Sequence, residues 1–343
     1  MADMFFALSP ADRRDALEVA AARFGRAVHL LEKDVWVVWT LNALFESDFA
    51  DHLVFKGGTS LSKAYQAIGR FSEDVDLTYD IRAIAPDLAL DSAHAIPSTR
   101  SQEQRWTKTI RERLDVWVRE TVAPLLTRRL AESGLLGRAK AEADTVLLTY
   151  EALTSGSGYV RPVVLLEFGA RSTGEPCEQR PIRCDAATHL PDVLFPEASP
   201  NVMRPERTFW EKATAIHVFC RGGRFRGAER FSRHWYDVAS LDNTAYIASA
   251  LADRNIARRV AEHKTMFFRE RDGQGNVIDY DAAVMGVLNL APDGPAEELL
   301  AADYAGLMND GLLFEEPPKF EKLVARCRAI QDRANNVGVS QLL

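Results

Sequence analysis

Only four cysteines occur in 343 residues, Cys177, Cys184, Cys220 and Cys327. They are too few and too irregularly spaced for a disulfide framework or a zinc site. No stretch reaches the roughly 18 uninterrupted apolar residues of a membrane span. The apolar block from Val35 to Phe45 is broken by Thr40 and Asn42 and flanked by Glu32, Lys33, Asp34 and Glu46. The N-terminus, Met1-Ala2-Asp3-Met4-Phe5, lacks the basic start and apolar run of a secretion signal. There is no surplus of positive charge either: 42 Lys plus Arg stand against 49 Asp plus Glu, a net charge of -7. That balance excludes a general nucleic-acid coat and confines any polyanion site to a local basic patch. Internal repeats, low-complexity tracts and a Walker A loop are also missing. With 47% hydrophobic and 27% charged residues the chain is not disordered. The expectation is a soluble, cytoplasmic protein of one large or two ordinary domains, without a membrane partner.

Local signals order the elements. Ser9-Pro10 opens a first helix through an N-cap and a proline at the first helical position. A buried helix is expected from about Lys33 to Phe45. A short strand, Leu53–Phe55, then leads into Lys56-Gly57-Gly58-Thr59-Ser60, followed by Leu61, Ala64, Tyr65 and Ile68 at helical spacing. The segment Asp74–Asp80 alternates polar and apolar, as a half-buried strand does. Residues 81–100 read as a loop, and a long helix through Trp106, Leu114 and Leu126 is expected to kink at Pro124. Strands are expected at Thr145–Tyr150, Val160–Phe168 and Pro181–Cys184, and helices from about Met203 onward.

The strongest feature runs from Phe55 to Leu77: strand, Gly-Gly-Thr-Ser, helix, and Ser72-Glu73-Asp74-Val75-Asp76 entering the next strand. Ser72, Asp74 and Asp76 fall on one strand face, with Val75, Leu77 and Tyr79 on the other. Adjacent carboxylates repel unless a cation lies between them, and Mg²⁺ takes one or two carboxylates together with substrate phosphates. Glycines allow close backbone approach, and a helix start near Thr59 offers N–H groups to an anion. Together these parts suit a nucleoside triphosphate with its metal ions. Taken singly, Asp-x-Asp also suits a solvated strand edge, and Gly-Gly-Thr-Ser a turn and helix cap.

Farther along, Lys212 lies on the border of a helix stripe made by Phe209, Ala213, Ile216 and Cys220, from which it can reach inward or snorkel outward. Asp237 follows Arg233 by four residues, the spacing of a surface salt bridge. His217 and His234 read as structural. Arg221, Arg224, Arg226, Arg230 and Arg233 form a basic run against Glu229, with Phe225 and Phe231 interleaved. Such a run suits an RNA end, and equally a solvated interhelical loop.

The stretches Phe55–Leu61 and Arg70–Leu77 resemble the nucleotidyltransferase signature of the AbiEii/AbiGii toxin family, within the DNA-polymerase-β-like nucleotidyltransferase superfamily. Glu206–Lys212 and Arg233–Asp237 resemble its later motifs, so the resemblance spans about Lys33 to Leu241. It implies an α+β fold: a polymerase-β-like core, with a small mixed sheet and flanking helices, over residues 1–200, and a helical region over 201–343 carrying Lys212 and Asp237. It implies that Asp74 and Asp76 hold Mg²⁺ (or Mn²⁺) and that Lys56, Gly57, Gly58, Thr59 and Ser60 form the nucleotide-binding turn. Ser72 then stands at the metal's edge, and Glu167 is the candidate third carboxylate. Lys212 is implied to reach the triphosphate, and Asp237 to activate the acceptor hydroxyl or orient Lys212. The expected activity is transfer of a nucleoside monophosphate from a triphosphate to an acceptor, the tRNA 3′ end, with docking by Arg221, Arg224, Arg226 and Arg230. A cognate antitoxin is expected as a partner. The alternatives are nucleotidylation of a protein, or a non-catalytic nucleotide- or RNA-binding module.

Overall fold

Ser9 and Pro10 start the first helix as their chemistry requires. The Ser9 hydroxyl accepts the Asp12 N–H at 3.2 Å, and Pro10 opens α1, Pro10–Phe24. The computed structural model describes residues 3–72, 74–90, 92–154, 161–222 and 230–340. The chain divides into two compact units. The first comprises Met1–Ala64, Phe71–Ala95 and Gln104–Met203; the second comprises Tyr65–Arg70, Ile96–Glu103 and Arg204–Leu343.

In the first unit α2, Val28–Phe45, begins earlier than the expected Lys33 because the apolar stripe already starts at Leu30 and Leu31, both buried. Its three successive charges are buried as well, and each has a partner, as charge in a low-dielectric interior requires. Glu32 accepts the Leu153 N–H at 2.9 Å, Lys33 donates to the Arg161 carbonyl at 3.5 Å, and Asp34 accepts the Asp185 N–H at 2.6 Å. Lys63 bridges Asp34 and Asp185, at 2.6 Å to each. Those two carboxylates outweigh burial and push its pKa up to about 12. Lys63 is the last residue of α3, Gly57–Lys63, so this cluster pins the helix that follows the Gly-Gly turn.

A seven-stranded mixed sheet organises the unit. Its strands are β1 (Leu53–Lys56), β2 (Asp74–Tyr79), β3 (Gly137–Glu142), β4 (Thr145–Tyr150), β5 (Val163–Gly169), β6 (Cys177–Gln179) and β7 (Asn201–Met203), in the order β3-β4-β5-β2-β1-β7-β6. β5 runs parallel to β2 and β7 parallel to β1; the other pairs are antiparallel. One face is the core. Val75, Leu77, Val146, Leu148, Val164, Leu166 and Phe168 are buried on it. There Trp36 of α2 stacks on Tyr150 at 4.9 Å, and Trp117 stacks on Tyr79 at 4.1 Å. The alternate residues of β4 and β5 keep solvent access.

Several expectations needed adjusting. β3 was not anticipated, because Gly137-Arg138-Ala139-Lys140-Ala141-Glu142 lacks the β-branched and aromatic residues that mark strands; it forms as a charged edge paired with β4. The segment expected as a loop contains short helices at Ile81–Ile84 and Pro86–Ala89. The long helix is interrupted by a π-helical turn, Val118–Val122, between Arg100–Trp117 and Ala123–Glu132. Pro124, without an N–H, sits just beyond that turn. Tyr65 and Ile68 are not helical, and their stretch belongs to the second unit.

The second unit is helical. After α4 (Arg100–Trp117) and α5 (Ala123–Glu132), the chain continues as α6 (Pro205–Gly222), α7 (Arg233–Leu241), α8 (Tyr246–Ala252), α9 (Arg254–Phe267), α10 (Gly294–Asn309) and α11 (Phe320–Ser340). Trp210 and Trp235 are fully buried, donating their indole N–H groups to the carbonyls of Ala250 at 3.0 Å and Leu290 at 2.8 Å. Among the described residues no helix is long and apolar enough to cross a membrane.

Glu32 makes a pH prediction. Burial raises its pKa from 4.5 to about 7, against the weaker pull of the Leu153 N–H and Arg13. The folded state therefore holds a proton that the unfolded chain has released, and stability falls as pH rises from about 4.5 through 7. Glu32→Gln is expected to flatten this part of the profile, with a gain on the order of 1–3 kcal/mol above pH 7. Urea unfolding at pH 5, 6.5 and 8 checks it; parallel profiles for the two proteins would refute the assignment.

Candidate active site

Strand register sets an acidic row on the sheet of the first unit. Lys56 lies opposite Asp76 across the β1–β2 pair, and Asp76 lies opposite Glu167 across the β2–β5 pair. Cross-strand partners share a face, so Lys56, Asp76 and Glu167 form one row, with Asp74 two residues away on the same side. Asp74 and Asp76 are half-buried, while Val75 and Leu77 between and beyond them are fully buried. Glu167 is exposed and its carboxyl pKa is raised, by partial burial first and then by the charges of Asp76 and Asp74. The three acids thus repel one another on one patch of sheet. Among the described residues no group of three or more His, Cys, Asp or Glu side chains is gathered as a metal cage.

The Gly-Gly turn packs directly against this row. Gly57 has φ of +77°, and a Cβ on it would lie 2.0 Å from Asp76 Oδ2. Both the backbone conformation and the contact demand glycine. Gly58, Thr59 and Ser60 are buried. The Thr59 hydroxyl donates to the carbonyls of Ser72, at 3.2 Å, and Asp74, and the Ser60 hydroxyl donates to the Gly57 carbonyl at 2.9 Å. These two hydroxyls hold the turn to the start of β2. The donors the turn has for an anion are the first N–H groups of α3, which have no intrahelical acceptor. Ser72 is half-buried just before the strand.

The second unit has a buried ion cluster of its own. Asp237, on α7, is fully buried, and both its oxygens are engaged. Arg70 grips it bidentately, Nε to Oδ1 at 2.7 Å and Nη2 to Oδ2 at 2.8 Å, and Lys212 Nζ lies 3.0 Å from Oδ2. Burial alone would raise the Asp237 pKa; the Arg70 and Lys212 charges override it and hold the carboxyl well below its usual range. Lys212 therefore turns inward, and Asp237 pairs with Arg70 and Lys212 in place of the helix-surface partner the spacing suggested. Arg70 is the residue that sequence reasoning missed. It sits inside a recognised motif, yet its partner is 167 residues away and no local pattern marks the pair.

The basic run is only partly an exposed feature. Arg221 is exposed at the end of α6. Arg230 corrects the expectation: its side chain is 6% exposed and its Nε lies 2.8 Å from Asp310, so its guanidinium is not offered to a phosphate. Its backbone N–H and that of Ser232 donate to Asp303 at 2.5 and 2.6 Å, fixing the entry to α7. Arg224 and Arg226 lie outside the described residues. His217 is a structural histidine, its Nδ1 accepting the Asn289 N–H at 3.0 Å and its pKa lowered to about 4 by burial and Arg221.

Removing the anion from a buried ion cluster costs more than removing a surface charge. Asp237→Asn leaves Arg70 and Lys212 without their counter-charge and is expected to destabilise the protein by about 3–5 kcal/mol. Glu167→Gln, at an exposed position, is expected to stay within about 0.5 kcal/mol of wild type. Urea midpoints measure both; equal stability of the two variants would contradict this account of Asp237.

Among solved structures the chain is similar to MenT4, a nucleotidyltransferase toxin from Mycobacterium tuberculosis H37Rv, at 17% identity and a TM-score of 0.45, covering 96% of this chain and 99% of that one. A search of curated proteins gave no match. The family model for the nucleotidyl transferase AbiEii toxin, type IV toxin–antitoxin system, matches residues 39–326, running well past Leu241, where the recognisable motifs end. The chain belongs to the AbiEii family of nucleotidyltransferase toxins of type IV toxin–antitoxin systems.

Proposed function

We propose that the protein transfers a nucleoside monophosphate from a nucleoside triphosphate to a hydroxyl at the tRNA 3′ end, in a Mg²⁺-dependent reaction that blocks translation until a cognate antitoxin counters it. The observation that carries the chemistry is the row of Lys56, Asp76 and Glu167 with Asp74 on the same face, against the Gly57 backbone. Asp74 and Asp76 are the residues that would hold the metal. Bound there, Mg²⁺ supplies charge neutralisation and alignment of the attacking and leaving oxygens.

The remaining roles follow from the side chains themselves. Gly57 and Gly58 allow the phosphates to approach the first N–H groups of α3, while Thr59 and Ser60 keep that turn in shape. Glu167, exposed and beside Asp76, is the carboxylate available to take the proton from the attacking hydroxyl. As the hydroxyl oxygen bonds to the α-phosphorus, the bond to the β-phosphate oxygen breaks and pyrophosphate leaves. Lys212 is the point charge for the triphosphate. Asp237, with both oxygens engaged, serves as the anchor that orients Lys212 rather than as a base at the hydroxyl. The tRNA acceptor is what the motif resemblance implies, and Arg221 is an exposed cation at the end of α6.

Asp76→Asn is expected to lower transfer by about two to three orders of magnitude with an unchanged melting temperature. Full activity in that variant would reject the carboxylate assignment. Incubation with labelled nucleoside triphosphates and total RNA or total protein identifies the acceptor. Label at RNA 3′ ends supports tRNA; label confined to protein would replace that acceptor with a protein hydroxyl.

A further inference from the structure

The ion cluster of Lys63, Asp34, Asp185 and Arg26 lies in the first unit, and no step of the proposed transfer uses it. Lys63 Nζ sits 2.6 Å from Asp34 Oδ1, on α2, and 2.6 Å from Asp185 Oδ1, where a short 3-10 turn, Asp185–His189, begins. Asp34 Oδ2 accepts the Asp185 N–H at 2.6 Å, and Arg26, just before α2, pairs with Asp185. The Lys63 and Asp34 side chains are only 8% and 3% exposed. Burial raises the Asp34 pKa, with the Lys63 charge pulling against it. Apolar side chains of similar volume can fill such a place without loss of stability, so packing alone gives no reason for ions there.

The element these ions hold is α3, seven residues from Gly57 to Lys63 and roughly 10 Å from end to end. Lys63 closes it. At its other end a Cβ on Gly57 would lie 2.0 Å from Asp76 Oδ2, so the backbone there already touches the carboxylate. Between the two ends the Thr59 hydroxyl donates to the carbonyls of Ser72, at 3.2 Å, and Asp74. The Ser60 hydroxyl donates to the Gly57 carbonyl at 2.9 Å. One short helix is therefore bonded to the strand entry that carries the acids and, at its last residue, to the ion cluster. Close packing transmits a displacement instead of absorbing it. A shift at Lys63 therefore reaches Thr59 and Gly57.

We propose that Lys63 is a positioning residue for the acidic row. Held by Asp34 and Asp185, it fixes α3, and through Thr59 and Gly57 it sets Asp74 and Asp76 against the turn. This rests on the proposed nucleotidyl transfer only for what the two carboxylates do. Lys63 itself spends its ammonium on Asp34 and Asp185 and acts on the row through the helix alone. Reacting groups have to be placed closely, and a displacement of about 1 Å far from the chemistry can cost on the order of a hundredfold in rate.

The test compares the full-length protein with Lys63→Met, Lys63→Arg and the double variant Asp34→Asn/Lys63→Met. Lys63→Met alone leaves Asp34 buried without its cation. In the double variant the remaining acid, Asp185, keeps Arg26 as its partner, so the fold is retained while the link to α3 is cut. In amide NMR spectra of the double variant the Gly57, Thr59 and Asp76 resonances are expected to move. In steady-state transfer its kcat is expected to fall about tenfold with KM for the nucleotide within about threefold of wild type. Lys63→Arg, which keeps a cation between the two acids, is expected to restore most of that loss. Unmoved resonances at Gly57 and Asp76, a kcat equal to wild type, or a loss confined to KM would overturn the proposal. A residue that only braced α2 against the Asp185 turn would shift the melting temperature and leave those resonances in place, which also overturns it. The two readings fail separately: Lys63-dependent resonances in a protein that transfers no nucleotide sink the transferase reading alone, and Asp76-dependent transfer with an unchanged kcat in the double variant sinks this one alone.

Discussion

The site depends on strand register. Side chains alternate along β2 and β5, so one face carries Asp74, Asp76 and Glu167 and the other carries Val75, Leu77, Leu166 and Phe168. A slip of one residue would exchange the two sets, driving three carboxylates into a helix-packed core and four apolar side chains into water. The stacks of Trp117 on Tyr79 and Trp36 on Tyr150 lock the core face, and by locking it they determine which residues meet on the open face. Packing and chemistry are therefore the same constraint viewed from the two sides of the sheet. The Gly57–Asp76 contact adds a second lock, since no residue with a Cβ fits between the turn and the carboxylate.

Charge is handled differently in the two units. In the first, buried ions are matched: Lys63 lies between Asp34 and Asp185, and Arg26 also pairs with Asp185, so two cations face two acids and α3 is fastened. On the sheet row Asp76 and Glu167 lie opposite one another beside Lys56, and the Glu167 pKa is raised by partial burial first and then by the charges of Asp76 and Asp74. In the second unit Arg70 and Lys212 both contact the Asp237 carboxylate, which is fully buried and held ionised by them.

Much of this was legible in the sequence where the signal is local. The Ser9-Pro10 helix start, the alternation of β2 and the glycine turn each need only a few neighbouring residues. Glu167 was placed by resemblance, and β5 brings it opposite Asp76. What was not legible involves partners far apart or elements whose stability comes from pairing. β3 is a strand because β4 offers hydrogen bonds, although Ala, Lys and Glu favour helices. Arg230 looks like a surface arginine in a basic run, but Asp303 and Asp310, more than seventy residues on, draw it inward. Arg70 is separated from Asp237 by 167 residues, and the apolar spacing of Tyr65 and Ile68 imitates a longer α3.

Charge also narrows the ligand. Neighbouring carboxylates on the sheet row call for cations, and a nucleoside triphosphate brings phosphate oxygens and the metal ions that accompany them in one species. The same reasoning explains how a chain of net charge -7 can still serve a polyanionic substrate. Average charge governs long-range behaviour, which salt screens beyond about 10 Å, whereas binding is decided by the few desolvated groups that meet the phosphates. A net negative charge is thus compatible with a nucleotide as substrate and opposes indiscriminate attraction to nucleic acid.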